Sequence, residues 1–262
     1  HGRKEADRRE LDISLADAVL LMLARLITPT HSDHRNTDRI KWGEMMTSSD
    51  QKLRNPIFCA IDTPDLGTAT TWAASIGDHV GGIKLGLEFV SAHGPKGVMQ
   101  VMKASGLPTF LDVKFHDIPN TVAGAVRAIA AVKPYMVNVH ASGGRAMMQA
   151  AAEAASEAAY EHVVPRPLVI GVTILTSLAD DDLAEVGMAA STADQAVRLA
   201  VLAKESGLDG VVCSPLEVSR IRAECGPNFK LVTPGVRPEW AAANDQKRIM
   251  TPEQAIAEGA DY

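Results

Sequence analysis

The chain has 262 residues, a net charge of −6 and 46% hydrophobic residues. That is the composition of a soluble globular chain able to bury one sizeable core, and it excludes a basic footprint for nucleic acid. Three cysteines, Cys59, Cys213 and Cys225, have no metal-ligand spacing, and so sparse and odd a set points to a reducing compartment without disulfides.

Residues 1–10 are charged and mixed in sign, and 11–28 are apolar and helix-like but interrupted by Asp12, Asp17 and Arg25. The longest uncharged run there is far short of a membrane span, and the acidic leading segment does not fit a secretory signal. Residues 29–54 are polar and loop-like. The expectation is an appendage over 1–54 outside the core, compatible with a non-native leader, with Met45 or Met46 as a natural start.

From residue 55 the chain alternates. An apolar run over 57–61 ends at Asp62; 68–76 is helical; 82–85 is a strand carrying Lys84; a helix over 95–105 ends at Gly106. Strand 109–114 follows, then an alanine-rich helix over 121–132, a strand over 135–140 and a strong helix former over 145–160. Next come a strand over 168–175, a helix over 191–206 opened by Ser191 and Asp194, and strands at 210–213 and 230–233 flanking a helix over 215–224. Thr251-Pro252-Glu253 opens a last helix with a cap, a first-turn proline and an acid.

Strict alternation implies parallel strands, and their apolar character implies helices covering the sheet. Seven such units predict a (β/α)8 TIM barrel over 55–262, with the eighth strand missing from the sequence given and due to begin near Tyr262. The punctuation agrees, since Gly207-Leu208-Asp209 and Gly259-Ala260-Asp261 end their helices alike. An open sheet is the alternative.

One stretch carries concentrated chemistry. Asp112, Lys114 and Asp117 interrupt the apolar residues of 109–119. Two apart on a strand, Asp112 and Lys114 share a face, and Asp117 falls in the turn announced by Pro119-Asn120. The lysine is expected to lie between two anions and so to stay charged. The bland reading is an ion-pair network capping a strand. Against it stands the position, the C-terminal end of a buried parallel strand, where barrels and open sheets keep their chemistry.

The run from Asp112 to Thr121 resembles the signature of the orotidine 5′-phosphate decarboxylase family. Ala60-Ile61-Asp62, Ile83-Lys84-Leu85-Gly86, the run from Val137 to Gly144, that from Gly171 to Ser177, that from Leu231 to Arg237 and that from Asp245 to Pro252 resemble its other motifs, in order. The resemblance implies a cofactor-free lyase acting on a small nucleotide, cytoplasmic, with no metal, nucleic-acid or membrane partner. It implies Lys114 as proton donor to C6 of the pyrimidine and Asp112 against the departing carboxylate. Asp117, with Ile118 and Thr121, would come from the neighbouring subunit of a homodimer with shared active sites. Lys84 would pair with Asp112 and touch the ribose, and Asp62 would bind ribose hydroxyls. Thr176, or Ser177 beside it, would meet the base, and Arg237 and Gln246 would serve the phosphate. The family's last strand ends in a Gly-Arg phosphate-holding pair that lies beyond this sequence.

Other residues read more blandly. His116 and His140 suit packing or structural roles, Arg145 a helix-start surface position, Asp180-Asp181-Asp182 a solvated loop, and Met147-Met148 the core. Two rival functions remain: a metal-using phosphosugar lyase on the same barrel, against which Lys84 argues by standing where such enzymes have an acid, and a non-catalytic barrel acting as a dimerising or structural domain.

Overall fold

Apolar runs between glycine and proline punctuation form the strands, and a helix follows each. The computed structural model describes residue 53 and residues 55–237 and 250–262. The appendage expected over 1–54 (Leu53 apart) and the loop carrying Gln246 lie outside the described residues.

The described elements begin with β1 (Phe58–Ala60), α1 (Leu66–Ser75), β2 (Gly82–Gly86), α2 (Leu87–Ser105), β3 (Thr109–Phe115), α3 (Pro119–Ala130) and β4 (Met136–His140). They continue through α4 (Arg145–His162), β5 (Leu168–Val172), α5 (Asp180–Glu185), α6 (Thr192–Glu205), β6 (Gly210–Val212), α7 (Val218–Cys225), β7 (Lys230–Val232) and α8 (Pro252–Ala257). The strands pair in chain order from β1 to β7, and every pairing is parallel.

In a flat sheet, β1 and β7 would stand six strand spacings apart, about 29 Å. Here the far edge of β7 reaches β1 through one residue. Thr233 N–H donates to the Tyr262 carbonyl (2.9 Å) and Asp261 N–H to the Leu231 carbonyl (2.9 Å), so residues 261–262 lie beside β7 where an eighth strand would begin. The Tyr262 ring then meets Phe58 of β1 edge-on, 5.6 Å between centroids, and its hydroxyl lies 2.7 Å from that of Tyr135. The sheet is therefore curled, and the fold is an incomplete (β/α)8 barrel rather than an open sheet.

Period-two alternation divides the core. Outward-facing Ile83, Leu85, Leu111, Val137, Val139, Val169, Val211 and Leu231 pack with the helices, while Phe110, Met136, Leu168, Ile170 and Val232 fill the barrel. Phe58, Phe110, Tyr135 and Tyr262 make an aromatic floor at the N-terminal ends of the strands. A Cβ on Gly82 would overlap the Phe58 ring, so glycine is what lets that ring pack against β2. With the floor filled, the opening is at the C-terminal ends.

The matching Gly-x-Asp signals have a physical cause. The Asp209 carboxylate accepts from Val169 N–H (2.7 Å) and from Arg166 (2.7 Å), while its own N–H donates to the Val169 carbonyl. Asp261 repeats this with Leu231 N–H (2.8 Å) and Arg222 (2.6 Å). Each aspartate thus pins the start of one strand to its neighbour.

The strand expected over 168–175 stops at Val172, and three helix starts also differ from the sequence expectation. Helix α2 starts at Leu87, not 95; Gly94 (φ 58°) and Pro95 kink it, and Phe89 anchors the earlier part in the core. Helix α3 starts at Pro119, whose fixed φ suits a first helical turn. Asp180-Asp181-Asp182 is the first turn of α5, with Asp182 accepting from Ala179 N–H (2.7 Å), rather than a solvated loop.

Candidate active site

Four charged side chains line the mouth of the barrel. Asp62 follows β1, Lys84 is central in β2, and Asp112 and Lys114 belong to β3. Their charges alternate: Asp62 Oδ1 is 3.6 Å from Lys84 Nζ, which is 3.4 Å from Asp112 Oδ2, while Asp112 Oδ1 is 2.6 Å from Lys114 Nζ. Burial alone would push Asp112 up, but the ammonium groups of Lys114 and Lys84 and hydrogen bonds from Lys114 and Asn138 outweigh it and hold the carboxyl below its ordinary range. Within one chain it is thus the anion Asp112 that lies between two cations, whereas the sequence suggested a lysine between two anions.

Lys114 does not sit on a regular strand. Leu111 pairs with Val137 and Phe115 with Val139, so Asp112, Val113 and Lys114 stand opposite Asn138 alone. The surplus is taken up as a bulge in which Lys114 adopts φ 49°, left-handed and unusual for a long side chain. Asn138 is a site residue that the sequence motifs do not single out. Its Oδ1 accepts from Lys114 N–H (2.7 Å) and its Nδ2 donates to Asp112 Oδ1 (2.7 Å). The signal was present as one polar residue in the apolar run Met136-Val137-Asn138-Val139.

The remaining predicted residues divide. Asp117 faces solvent in the loop after β3 and accepts from Ile118 N–H (2.6 Å); Ile118 is 67% exposed, and Thr121 is exposed on α3. Thr176 is buried in the loop after β5, while Ser177 beside it is exposed. Arg237 lies after β7, where its N–H donates to the Met250 carbonyl (3.1 Å). Gln246 lies outside the described residues.

His116 and His140 form a tilted ring pair, 5.3 Å between centroids, at the rim. Burial, then the neighbouring His116 and Lys114, push His140 below the usual imidazole value, against an opposing pull from Asp112. Arg145 pairs with Glu205 (2.7 Å) at the surface, and Met147 and Met148 are buried. Among the described residues no group of three His, Cys, Asp or Glu side chains is arranged to hold a metal ion.

A parallel barrel with alternating ammonium and carboxylate groups at its C-terminal mouth defines a class: a barrel enzyme whose charged side chains gather where such barrels keep their active sites. The family model described as "Orotidine 5′-phosphate decarboxylase / HUMPS family" matches residues 55–262. The chain is 58% identical over 211 residues to the orotidine 5′-phosphate decarboxylase of Rhodospirillum rubrum, covering 80% of this chain and 85% of that one. It is 49% identical over 210 residues to that of Moorella thermoacetica, covering 80% and 83%. The crystal structure of orotidine 5′-phosphate decarboxylase from Lactobacillus acidophilus superposes with a TM-score of 0.69 at 33% identity, covering 79% of this chain and 88% of that one. The chain belongs to the orotidine 5′-phosphate decarboxylase / HUMPS family, and it is a carboxy-lyase.

Proposed function

We propose that the protein decarboxylates orotidine 5′-phosphate to uridine 5′-phosphate in de novo pyrimidine biosynthesis, without a cofactor. The observation that carries this reading is the Asp62–Lys84–Asp112–Lys114 charge line, with its 2.6 Å link between Asp112 and Lys114. Breaking the C6–carboxylate bond releases CO₂ and leaves the electron pair on C6, an sp² carbon with no adjacent electron sink. The Lys114 ammonium stabilises that charge as it develops, then transfers a proton to C6 and is recharged from solvent. Asp112 holds the ammonium in place before the reaction, so its orientation costs nothing at the moment of bond breaking. It also stands against the substrate carboxylate.

In this reading Lys84 touches the ribose and holds Asp112. Asp62 binds ribose hydroxyls, Thr176 meets the base, and Arg237 and Gln246 serve the phosphate. Asp117, Ile118 and Thr121 complete the site of the other subunit of a homodimer; their exposure after β3 suits that role. The setting is the cytoplasm, with no nucleic-acid or membrane partner; no described helix is long and apolar enough to cross a membrane.

The test is product identification with the full-length gene product. Orotidine 5′-phosphate should lose one carboxyl group as CO₂ and yield uridine 5′-phosphate in equal amount. A folded, nucleotide-binding protein that leaves the substrate intact would overturn the reading.

A further inference from the structure

Asn138 is fully buried in β4, between Val137 and Val139. A carboxamide placed there without partners would leave buried donors and acceptors unmet, which is strongly unfavourable. Its side chain bonds to the charge line at both ends: Oδ1 takes Lys114 N–H and Nδ2 gives to Asp112 Oδ1, each at 2.7 Å. Asn138 is also the single β4 residue facing the three-residue bulge of β3. Its side chain therefore replaces the ladder partner that the bulge removes.

We propose that Asn138 is a positioning residue, which holds the β3 bulge open and fixes Lys114 against Asp112 for proton delivery. This rests on the reading of Lys114 as proton donor. The left-handed φ of 49° at Lys114 is disfavoured for any side chain with a Cβ, and the bond to Asn138 Oδ1 opposes its relaxation. An extended backbone at Lys114 would swing its side chain away from the 2.6 Å contact. Asp112 Oδ1 receives both Lys114 Nζ and Asn138 Nδ2, which fixes the carboxylate plane and leaves Oδ2 to Lys84. The task needs an acceptor and a donor on one short side chain. Aspartate keeps only the acceptor, and alanine neither. Neither bond is made to a residue assigned to the ribose, base or phosphate, and Lys84 meets the other oxygen of Asp112, so the main effect falls on the chemical step rather than on nucleotide binding.

The experiment compares Asn138→Ala and Asn138→Asp with the unsubstituted enzyme. The kcat on orotidine 5′-phosphate should fall about 100-fold in both, as for a ~1 Å misplacement of a reacting group. KM and the Kd for uridine 5′-phosphate should stay within about threefold. A kcat within threefold of the parent, or a loss confined to KM and Kd, overturns the proposal. Crystal structures form a second arm that does not depend on turnover. Lys114 should leave φ near 49° or lose its Asp112 contact; an unchanged array in both variants overturns the proposal. Should Asn138→Ala fail to fold, Asn138→Asp, equal in volume, carries both arms. Absence of turnover in the parent would refute the decarboxylase reading alone, and the crystal structures would still decide the positioning claim.

Discussion

Removing the Lys114 ammonium should abolish nearly all turnover while leaving the barrel folded. A unit charge about 3 Å from C6, at an effective dielectric of about 20, interacts with the developing carbanion by about 5.5 kcal/mol. The Lys114 side chain is 28% exposed, and solvent screening lowers this to roughly 3–4 kcal/mol. That is about 10²–10³ in rate, and loss of the general acid lowers it further. The expected fall in kcat for Lys114→Ala is thus about 10³-fold or more. Asp112 keeps Lys84 at 3.4 Å and Asn138 at 2.7 Å, so it is not left buried and unpaired. Lys114→Gly should be as inactive but more stable than Lys114→Ala by about 0.5–1 kcal/mol, because glycine accepts the left-handed backbone without strain. The assay follows the ultraviolet change of the pyrimidine on decarboxylation, with circular dichroism and thermal melts as controls. A folded Lys114→Ala enzyme with kcat within tenfold of the parent would refute the proton-donor assignment.

Mixed dimers test the shared site. Lys114→Ala and Asp117→Ala should each be nearly inactive, yet refolded together they should regain roughly a quarter of parental activity, since half the random dimers hold one intact site of two; no recovery would place Asp117 in its own subunit's chemistry or outside it. His140 sets a stability slope. Its folded pKa is lowered, so as pH falls through about 6.5 the unfolded chain binds a proton that the native imidazole resists, and stability drops. His140→Gln should flatten the decline in Tm between pH 7 and 5, and an unchanged slope would contradict this. At the floor, Tyr135→Phe removes the 2.7 Å link to Tyr262 and should cost about 1 kcal/mol in urea unfolding with little change in kcat; a catalytic loss would show that the floor reaches the site.

Most of the barrel was legible because each strand is an apolar run bounded by glycine, proline or aspartate, and such runs hardly depend on distant context. Asp209 and Asp261 even announced a shared latch through identical punctuation. The kink in α2 was not legible, since Gly94-Pro95 reads as a helix start and only the burial of Phe89 joins the two parts. The charge line was half legible. Asp112 and Lys114 share a face as period two requires, but the bulge that brings them to 2.6 Å depends on Asn138, a partner 24 residues on from Lys114. Period-two reasoning assumes a regular ladder and so misses it. Local spacing likewise could not show that Lys84 reaches Asp112 from the neighbouring strand, which makes the anion the centre of the array.

The central claim is that fixed side-chain charges, with no metal, carry the decarboxylation. Turnover of orotidine 5′-phosphate by the full-length enzyme after exhaustive dialysis against EDTA tests it most directly. The account predicts a kcat unchanged by chelation and lost in Lys114→Ala. Activity that disappears with EDTA and returns with added magnesium would contradict it and favour the metal-using lyases of the same barrel.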